Sequence, residues 1–356
     1  MNIIHICNVT AKPNGIKTVL KKLSVRQREL GNNVKVISLN KGEPDFEHIR
    51  NIWQFYRTIQ SDNPDIVIFH SIYYLLYIPF VIILWFKNKS YGIMLHGALS
   101  SENYKVSHSK KRIANILFFN QFIKRAKSII YLNYNEYNNS IVKTINPNYT
   151  IIPNGCDRIQ SLNSINGAPN DPIQIIYVGR IKRDHKGLDI LLDAIELIQN
   201  SDICRNVHFS FYGDGNDLEL SWFRKRMQSV NSIAEFKGPI YGASKDNIMR
   251  KSDIFILTSR FEGMPMGVLE ALSYGLPCIL TPETNIGEEV KAAGAGWVTD
   301  AKSDKIAEVI NKAVKELYLK RNLLKSNAIE LSKKYDWSNI AMISINEYQK
   351  MINNRS

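Results

Sequence analysis

Short apolar runs alternate with longer stretches of helical periodicity along the whole chain. The apolar runs of the first half predict strands at 2–7, 33–39, 65–70, 91–95, 128–132 and 149–152. The periodic stretches between them predict helices at 15–30, 47–60, 72–86, 109–126 and 134–145. A second series of strands is predicted at 173–179, 207–212, 253–258, 277–280 and 296–299. This alternation is typical of a doubly wound α/β fold with parallel sheets.

Two domains are expected from the length and from a break between the two series. The 356 residues suffice for about two domains, each with its own core. The break is a segment rich in turn-forming residues, 161–172. We therefore predict Rossmann-like domains at 1–165 and 166–337, facing each other across a central cleft. Ligands of such sheets bind beyond the carboxyl ends of the strands, so the loops that follow strands should line the cleft.

Cysteine usage and the first residues favour a protein of the reducing cytoplasm. The four cysteines include no C-x-x-C pair, which argues against a zinc ribbon or a disulfide framework. The first residues lack the charged and long apolar regions of a signal peptide, and they predict the first strand of a domain.

The positive charge is concentrated in the first half of the chain. Residues 1–160 contain 21 Lys and Arg against 9 Asp and Glu, whereas residues 161–356 contain 25 against 24. A basic domain suggests an anionic partner, namely nucleic acid, anionic lipid or a phosphorylated substrate. A solvated surface with no dedicated partner is the alternative.

Two segments could contact a membrane or simply pack in the core. Residues 72–86 are 15 consecutive apolar residues, fewer than the roughly 20 that a spanning helix needs, and Pro79 interrupts them. Residues 109–127 have apolar residues at helical spacing between two basic clusters. Each segment is expected to be a helix packed on the sheet, or else an apolar or basic surface at the bilayer interface.

Chemistry is indicated most strongly by two glutamates in the second half. Glu262 and Glu270 bracket a glycine-rich turn that follows a predicted buried strand, 253–258, and the second glutamate lies about one turn inside a helix opening near Met266. A helix N-terminus offers free N–H groups to a phosphate or a polar sugar. Carboxylates accept hydrogen bonds from hydroxyl groups, so the segment predicts a nucleotide-sugar site. Solvated glutamates paired with nearby lysines are the alternative.

A pair of basic residues is expected at the same edge of the sheet. Arg180 follows the strand predicted at 173–179, and Lys186 lies just before the next helix. A diphosphate bound there would receive forked donors from the guanidinium and a point charge from the ammonium.

The ordered set of these motifs resembles the donor domain of retaining GT-B glycosyltransferases of family 4. The first half agrees, and the resemblance covers essentially the whole chain. The residues that carry it are Asn14-Gly15-Ile16, 64–70, Leu95-His96-Gly97, 152–157, Gly179-Arg180, Lys186-Gly187, 212–215 and Glu262-x7-Glu270. The resemblance also implies that a final helix, at about 338–352 in the segment 338–356, crosses back to the first domain.

The resemblance implies a role for each matching residue. Arg180 and Lys186 would hold the donor diphosphate, Glu270 the ribose hydroxyls and Glu262 hydroxyls of the transferred sugar. The turn residues beside Glu262 would contribute their backbone to the donor site: Gly263, Met264, Pro265, Met266 and Gly267. His96 would hydrogen-bond the donor sugar near its reacting centre, and Gly15 would let the backbone approach the ligand closely.

The implied reaction is transfer of the sugar with retention of anomeric configuration. An oxocarbenium-like transition state would form while the acceptor hydroxyl attacks from the leaving-group face, with a phosphate oxygen as base. The sequence has no D-x-D motif, which fits a metal-independent site without a cofactor. Two departures from the family pattern are Ile16, where a second glycine is common, and 282–288, which replaces a more glycine-rich donor loop.

We therefore expect a cytoplasmic hexosyltransferase, peripheral on the inner face of the cell membrane, that acts in surface polysaccharide assembly. The expected donor is a UDP-hexose or UDP-N-acetylhexosamine, with GDP-mannose second, and the expected acceptor is a glycan or a polyprenyl-diphosphate-linked glycan. A GT-B epimerase or phosphorylase is the nearest enzymatic alternative. A nucleic-acid-binding protein would leave the two glutamates without a role, and a dehydrogenase would need the third glycine of G-x-G-x-x-G, which is missing after Gly215.

Overall fold

The computed structural model describes residues 1–9, 15–41, 43–72, 74–97, 118–159 and 172–353. The chain forms two compact units, one combining Met1–Gly155 with Trp337–Ser356 and the other comprising Cys156–Asp336. The domain boundaries predicted from the sequence were 165 and 337. Of the predicted linker 161–172, all but the last residue lies outside the described residues.

Thirteen strands in the described residues form the two sheets. They are β1 (Asn2–Cys7), β2 (Asn33–Ser38), β3 (Glu47–His48), β4 (Ile66–His70), β5 (Tyr91–Met94), β6 (Ser128–Tyr131), β7 (Tyr149–Ile151), β8 (Ile173–Val178), β9 (Val207–Tyr212), β10 (Ala234–Phe236), β11 (Ile254–Leu257), β12 (Cys278–Leu280) and β13 (Gly296–Val298). The orders are β3-β2-β1-β4-β5-β6-β7 and β10-β9-β8-β11-β12-β13. All pairings between these strands are parallel, as the alternating pattern predicts.

The described α-helices connect these strands. They are α1 (Gly15–Glu29), α2 (Ile52–Asp62), α3 (Tyr77–Phe86), α4 (Asn120–Lys124), α5 (Tyr134–Asn138), α6 (Arg183–Lys186), α7 (Leu188–Gln199), α8 (Asp217–Met227), α9 (Gly242–Lys251), α10 (Met266–Ser273), α11 (Gly287–Ala292), α12 (Ser303–Lys333) and α13 (Trp337–Asn353).

Several helices predicted in the first unit differ from the structure or lie partly outside the described residues. The helix predicted at 47–60 begins only at Ile52, because Asn51 caps it by accepting the Gln54 N–H at 2.9 Å, and β3 takes the preceding residues. The helix predicted at 134–145 is interrupted at Ser140, whose hydroxyl caps a short 3₁₀ turn. Of the helix predicted at 109–126, residues 109–117 lie outside the described residues.

The helix predicted over the apolar segment 72–86 begins only at Tyr77, as the ten-residue α3, which packs against α2. Its inner face is buried, and Phe80 stacks on Phe55 of α2 with ring centroids 4.1 Å apart. Its outer face exposes Ile82 and Phe86 to solvent. Among the helices that the structure describes, none has the length and apolarity required to cross a bilayer.

The last helix belongs to the first unit. α13 packs along α1, and it buries side chains at helical spacing, which include Ile340, Ala341, Ser344 and Tyr348. At the start of α13 the Trp337 ring covers Gly155, where a Cβ would lie 2.5 Å from ring carbons. The predicted helix at 338–352 and its return to the first domain are confirmed.

The second sheet places two loops side by side. β8 and β11 are neighbours with Ile175 opposite Ile254 and Ile176 opposite Phe255. Because parallel strands end at the same edge, the loops after Val178 and Leu257 emerge together there. These loops carry Arg180 and Glu262, so the fold supplies the juxtaposition that the sequence predicts.

Candidate functional site

The loop after β8 is held by hydrogen bonds to its own strand and to the loop after β9. The Tyr177 hydroxyl donates to the carbonyl of Arg180 at 2.7 Å, and the Ile181 N–H donates to the carbonyl of Asp214 at 2.7 Å. At Gly213 a Cβ would lie 1.8 Å from the Gly179 carbonyl oxygen, so only glycine fits. The backbone is therefore fixed while the Arg180 side chain remains exposed to solvent.

Lys186 ends the short helix α6, and the next residue brings two loops into contact. Gly187 has a φ of 59°, and a Cβ there would lie 2.1 Å from the Thr258 carbonyl oxygen. The Thr258 hydroxyl in turn lies 3.2 Å from the Gly187 carbonyl oxygen and donates to it. Glycine is thus required both for the left-handed backbone and for the close approach.

The central contact of the site is an ion pair between Lys186 and Glu262. The ammonium of Lys186 bonds to Oε1 of Glu262, and the same oxygen accepts from the Ser259 hydroxyl at 2.6 Å. The two charged side chains are only 13% and 10% exposed. A pair this far from water is screened little, so its charges interact strongly with each other and with any ligand that enters.

The glycine-rich turn leads directly into α10, as predicted. Met264 and Pro265 are buried, and α10 begins at Met266. A Cβ at Gly267 would lie 3.2 Å from the Val178 carbonyl oxygen, so this glycine lets the helix approach β8. The first N–H groups of a helix lack intrahelical acceptors and carry partial positive charge. Met266 and Gly267, the first two residues of α10, therefore offer N–H donors a few residues after Glu262.

Glu270 is the fifth residue of α10 and pairs with a lysine that the sequence analysis missed. Lys245 of α9 bonds to Oε2 of Glu270, with both side chains about a quarter exposed. One turn on, the Tyr274 hydroxyl donates to Asp246 at 2.6 Å and ties the same two helices together. Both glutamates of the motif are thus matched by lysines, from two different elements.

Three further residues that sequence reasoning did not select hold the Glu262 turn. Arg260 forms a two-point ion pair with Asp189 at 2.8 and 2.7 Å, and its N–H donates to the His185 carbonyl at 2.9 Å. Asn285 donates to the backbone carbonyls of Glu262 and Gly263. The His185 ring stacks on Phe261 at 4.1 Å, and burial lowers the pKa of His185 to about 4, so this imidazole is neutral at pH 7.

Two predicted site residues, His96 and Gly15, belong to the first unit. His96 follows β5 with a φ of 52°, and burial lowers its pKa to about 4. Its Nε2 lies 2.8 Å from Nδ1 of His70. Gly15 opens α1, and no described atom lies within 4 Å of the position that a Cβ would take. Packing within the described residues therefore does not require a glycine at position 15.

The second unit thus brings Arg180, Lys186 and the segment from Glu262 to Glu270 to one edge of its sheet. Ser259 could have been found from the rule that loops after strands carry functional groups, since it lies two residues after β11. Asn285 lies in the segment 282–288, which was noted only as a departure from the family pattern, and Lys245 gave no sequence signal because it reaches the site from a separate helix.

The second unit also matches a known family. Residues 172–316 match the family model described as Glycosyl transferases group 1. The second unit carries a group 1 glycosyltransferase domain. The matched residues include Arg180, Lys186, Lys245, Glu262 and Glu270, so the site just described lies inside this group 1 domain.

Curated relatives resemble parts of the chain. An Escherichia coli UDP-Gal:alpha-D-GlcNAc-diphosphoundecaprenol alpha-1,3-galactosyltransferase is 32% identical over 149 residues, which cover 37% of this chain and 36% of that protein. A Thermosipho melanesiensis glycogen synthase is 28% identical over 239 residues, which cover 63% of this chain and 48% of that protein. The chain thus spans about half or less of the length of these two relatives.

Solved structures match over nearly the whole chain. Anabaena Alr3699/HepE in complex with UDP superposes with a TM-score of 0.77 at 18% identity, covering 98% of this chain and 100% of that one. The WaaB lipopolysaccharide outer core galactosyltransferase gives a TM-score of 0.71 at 16% identity, covering 98% and 99%. These likenesses confirm the predicted two-domain GT-B fold around the group 1 domain.

Proposed function

We propose that this protein is a retaining hexosyltransferase that moves a hexose or N-acetylhexosamine from a nucleotide-sugar to a hydroxyl of a glycan acceptor. The observation that carries the proposal is the Lys186–Glu262 pair beside the N-terminus of α10, with Glu270 one turn further on. A cation, an acceptor for hydroxyl groups and the N–H groups that open α10 lie within one strand–turn–helix segment and its neighbouring loop. A nucleotide-sugar needs these three kinds of contact.

Each group has a part in binding the donor. The exposed Arg180 guanidinium and the Lys186 ammonium bind the diphosphate, with a forked and a point contact respectively. Glu262 keeps one carboxylate oxygen for hydroxyls of the transferred sugar, since Lys186 and Ser259 both contact Oε1. Glu270 accepts from the ribose hydroxyls after its pair with Lys245 rearranges.

The chemical step follows from charge development on the leaving group. As the sugar–phosphate bond breaks, negative charge grows on the departing diphosphate, where Arg180, Lys186 and the N–H groups of α10 stabilise it. A phosphate oxygen takes the proton of the acceptor hydroxyl, which attacks from the same face, and the configuration is retained. The two cations take the place of a metal ion, so we propose that no metal is required.

The donor proposed first is a UDP-sugar, with GDP-mannose second. The UDP complex of Alr3699/HepE, the second complex of that protein with UDP and glucose, and the UDP-Gal in the name of the Escherichia coli relative support this order. The diphosphoundecaprenol in the same name supports a polyprenyl-diphosphate-linked acceptor in surface polysaccharide assembly.

A lipid-linked acceptor also calls for contact with a membrane surface, for which the outer face of α3 is suited. Ile82 and Phe86 lie four residues apart on one helix face, and Phe86 is 87% exposed. Leu75 and Leu76, at the start of the helix, are 70% and 61% exposed. With the net positive charge of residues 1–160, this face suits the cytoplasmic surface of an anionic membrane. Of the second predicted contact, 109–127, residues 109–117 lie outside the described residues.

The proposal is tested by titrating the protein with UDP, GDP and ADP in a calorimeter, in buffer containing EDTA. We expect selective micromolar binding of one nucleotide, weakened in Glu270→Gln by about 1–3 kcal/mol, because a charged hydrogen-bond partner is lost. Glu308→Gln, an exposed glutamate of α12 that likewise pairs with a lysine, Lys305, is the matched control and should bind as wild type does. Equal affinity of wild type and Glu270→Gln for every nucleotide would remove Glu270 from the site.

Product analysis separates the proposal from its alternatives. Release of nucleoside diphosphate that depends on an added acceptor excludes an epimerase and a phosphorylase, and the anomeric configuration of the product, read by NMR, tests retention. Salt-dependent binding of a random oligonucleotide without nucleotide-sugar turnover would favour the nucleic-acid-binding alternative.

A further inference from the structure

A line of hydrogen-bonded side chains runs through the first unit and ends at His96. Nε2 of His5 lies 2.9 Å from Oε1 of Gln27, and Nδ1 of His5 lies 2.9 Å from Nε2 of His70. Nδ1 of His70 lies 2.8 Å from Nε2 of His96. Gln27, His5 and His70 are at most 1% exposed. Side chains from α1, β1, β4 and the turn after β5 therefore form one connected network.

The direction of this network is fixed at its far end, on α13. The Ser344 hydroxyl donates its single proton to the Ala341 carbonyl at 2.7 Å. Its oxygen must then accept, and it accepts from Nε2 of Gln27 at 2.8 Å. The amide of Gln27 consequently turns its Oε1 toward His5, and this oxygen can only accept. The Ala341 carbonyl of α13 thus determines which atom is the donor in each hydrogen bond of the network.

Each histidine of the network has one donor and one acceptor nitrogen. Burial lowers the pKa of His5 and His96 to about 4 and that of His70 well below 6.5, so all three rings are neutral at pH 7. His5 gives its Nε2–H to Gln27 and accepts at Nδ1 from Nε2–H of His70. His70 in turn accepts at Nδ1 from Nε2–H of His96. His96 is left with an unprotonated Nδ1.

The backbone at His96 and Gly97 has an uncommon left-handed conformation, and a carboxylate binds the Gly97 N–H. His96 and Gly97 have φ values of 52° and 76°, a conformation that a histidine rarely adopts. The Gly97 N–H is bound by Oε1 of Glu136 at 2.7 Å, and the other carboxylate oxygen binds the Leu132 N–H at 2.6 Å. A residue other than glycine that is held in this conformation is typical of functional positions.

We propose that His5 and His70 are positioning residues that hold His96 as its Nε2–H tautomer, so that Nδ1 presents a lone pair to a substrate hydroxyl. His96 then accepts a hydrogen bond from the substrate and does not donate one. The identity of this partner as a sugar hydroxyl rests on the proposed function; the tautomer itself does not.

The tautomer is measured by NMR of the full chain labelled with ¹⁵N-histidine. The chain has seven histidines, and the His96 signals are assigned as those that His96→Gln removes. At pH 7 we expect Nε2 of His96 to be protonated and Nδ1 to have the shift of an unprotonated nitrogen. A protonated Nδ1 on His96 at pH 7 would overturn the proposal.

Two variants of His70 test the positioning role. Glutamine can accept at Oε1 and donate at Nε2, so His70→Gln keeps the donor order and should preserve the His96 tautomer. His70→Leu breaks the network and should give a mixture of both His96 tautomers. An unchanged single tautomer in folded His70→Leu contradicts positioning by His70. If that variant does not fold, Ser344→Ala, which releases the Gln27 amide, should give the same mixture.

Addition of UDP-glucose, with UDP as control, tests the hydroxyl contact. We expect UDP-glucose, and not UDP, to shift Nδ1 of His96 in the direction of hydrogen bonding. UDP-glucose that binds by calorimetry without changing this shift overturns the contact. If neither compound binds, the UDP-sugar proposal fails, whereas the tautomer result stands on its own measurement.

Discussion

Lys186 and Glu262 are 76 residues apart in the chain and form one ion pair at the carboxyl edge of the second sheet. The sequence interpretation gave each residue a separate contact with the donor. In the structure they neutralise each other, so a diphosphate bound as proposed would compete with Glu262 for the same ammonium group. The affinity for the donor should therefore depend on how strongly Glu262 binds the Lys186 ammonium group.

This competition can be measured with a double-mutant cycle of Lys186→Met and Glu262→Gln. Lys186→Met alone leaves a largely buried carboxylate without its cation, so we expect unfolding to become easier by about 1–3 kcal/mol. The double variant should regain part of that loss, which urea denaturation of all four proteins measures. Strictly additive effects would contradict a coupled pair. Nucleotide affinity should remain low in both variants that lack Lys186.

Ribose recognition by Glu270 predicts a specific loss with a deoxynucleotide. For the wild type, 2′-deoxyuridine diphosphate should bind about tenfold or more weakly than UDP, because a hydrogen bond to a carboxylate is lost. In Glu270→Gln the two nucleotides should bind with nearly equal affinity. Calorimetry on both proteins gives the four constants. A tenfold preference for UDP that persists in Glu270→Gln would assign the hydroxyl contact to another residue.

Gly187 and Gly238 form a matched pair for testing the contact between the loops after β8 and β11. Both have positive φ, 59° and 76°, but only Gly187 has a carbonyl oxygen in the way of a Cβ, that of Thr258. Gly187→Ala should destabilise the protein by about 2–4 kcal/mol, and Gly238→Ala by about 1–2 kcal/mol from the backbone alone. Thermal unfolding compares them. Equal losses would show that the close approach carries no cost.

Stability should fall when the pH is lowered from 7 to 5. Burial depresses the pKa of His5 and His96 from 6.5 to about 4, so between these values the unfolded chain binds protons that the folded chain does not. Stability is therefore full above about 6.5 and is lost as the pH falls toward 4, by about 1–2 kcal/mol per histidine at pH 5. Urea denaturation at both pH values tests this, and His5→Gln should show a smaller pH dependence. Equal stability of the wild type at pH 5 and 7 would refute it.

The outer face of α3 predicts a membrane-binding defect that leaves nucleotide binding intact. Phe86→Ser should reduce binding to phosphatidylglycerol vesicles about tenfold, since burying a phenylalanine contributes about 1.5–3 kcal/mol. Leu319→Ser, at an equally exposed apolar residue of the second unit, is the control and should bind vesicles normally. Vesicle flotation measures the binding of both variants. A Phe86→Ser protein that floats like wild type would exclude this face.

The fold was largely predictable, because parallel strands buried on both faces are continuous apolar runs. β1 and β9 match the predicted ranges 2–7 and 207–212, and the helix predicted at 338–352 differs from α13 by one residue at each end. The edge strands β7 and β13 were predicted, whereas the edge strands β3 and β10, of two and three residues, were not. Residues in β3 and β10 are only partly buried. Their pairing is decided by the neighbouring strand, which local periodicity does not reveal.

The candidate site was predictable where its residues lie in loops after strands or near the start of the following helix. Arg180 and Glu262 were identified in loops that follow buried runs, and Lys186 and Glu270 near helix starts beside them. Lys245 contacts Glu270 from the middle of α9, a polar helix whose spacing does not distinguish it from a solvated surface. His5 and His70 lie inside predicted strands, where a histidine is more often structural. Their connection to His96 appears only when three adjacent strands are aligned.

The position of α13 at the end of the chain determines the order in which the two units can fold during synthesis. The first unit consists of residues made before the second unit and a helix made after it, so the ribosome must complete Cys156–Asp336 before the first unit can be finished. The second unit can fold while the first still lacks the helix that covers α1. A released fragment that ends at residue 336 should therefore contain a protease-resistant second unit and a protease-sensitive first one. Because Ser344 lies on α13, the proton arrangement proposed for His96 would depend on this helix, and chains that end before it would lack that arrangement.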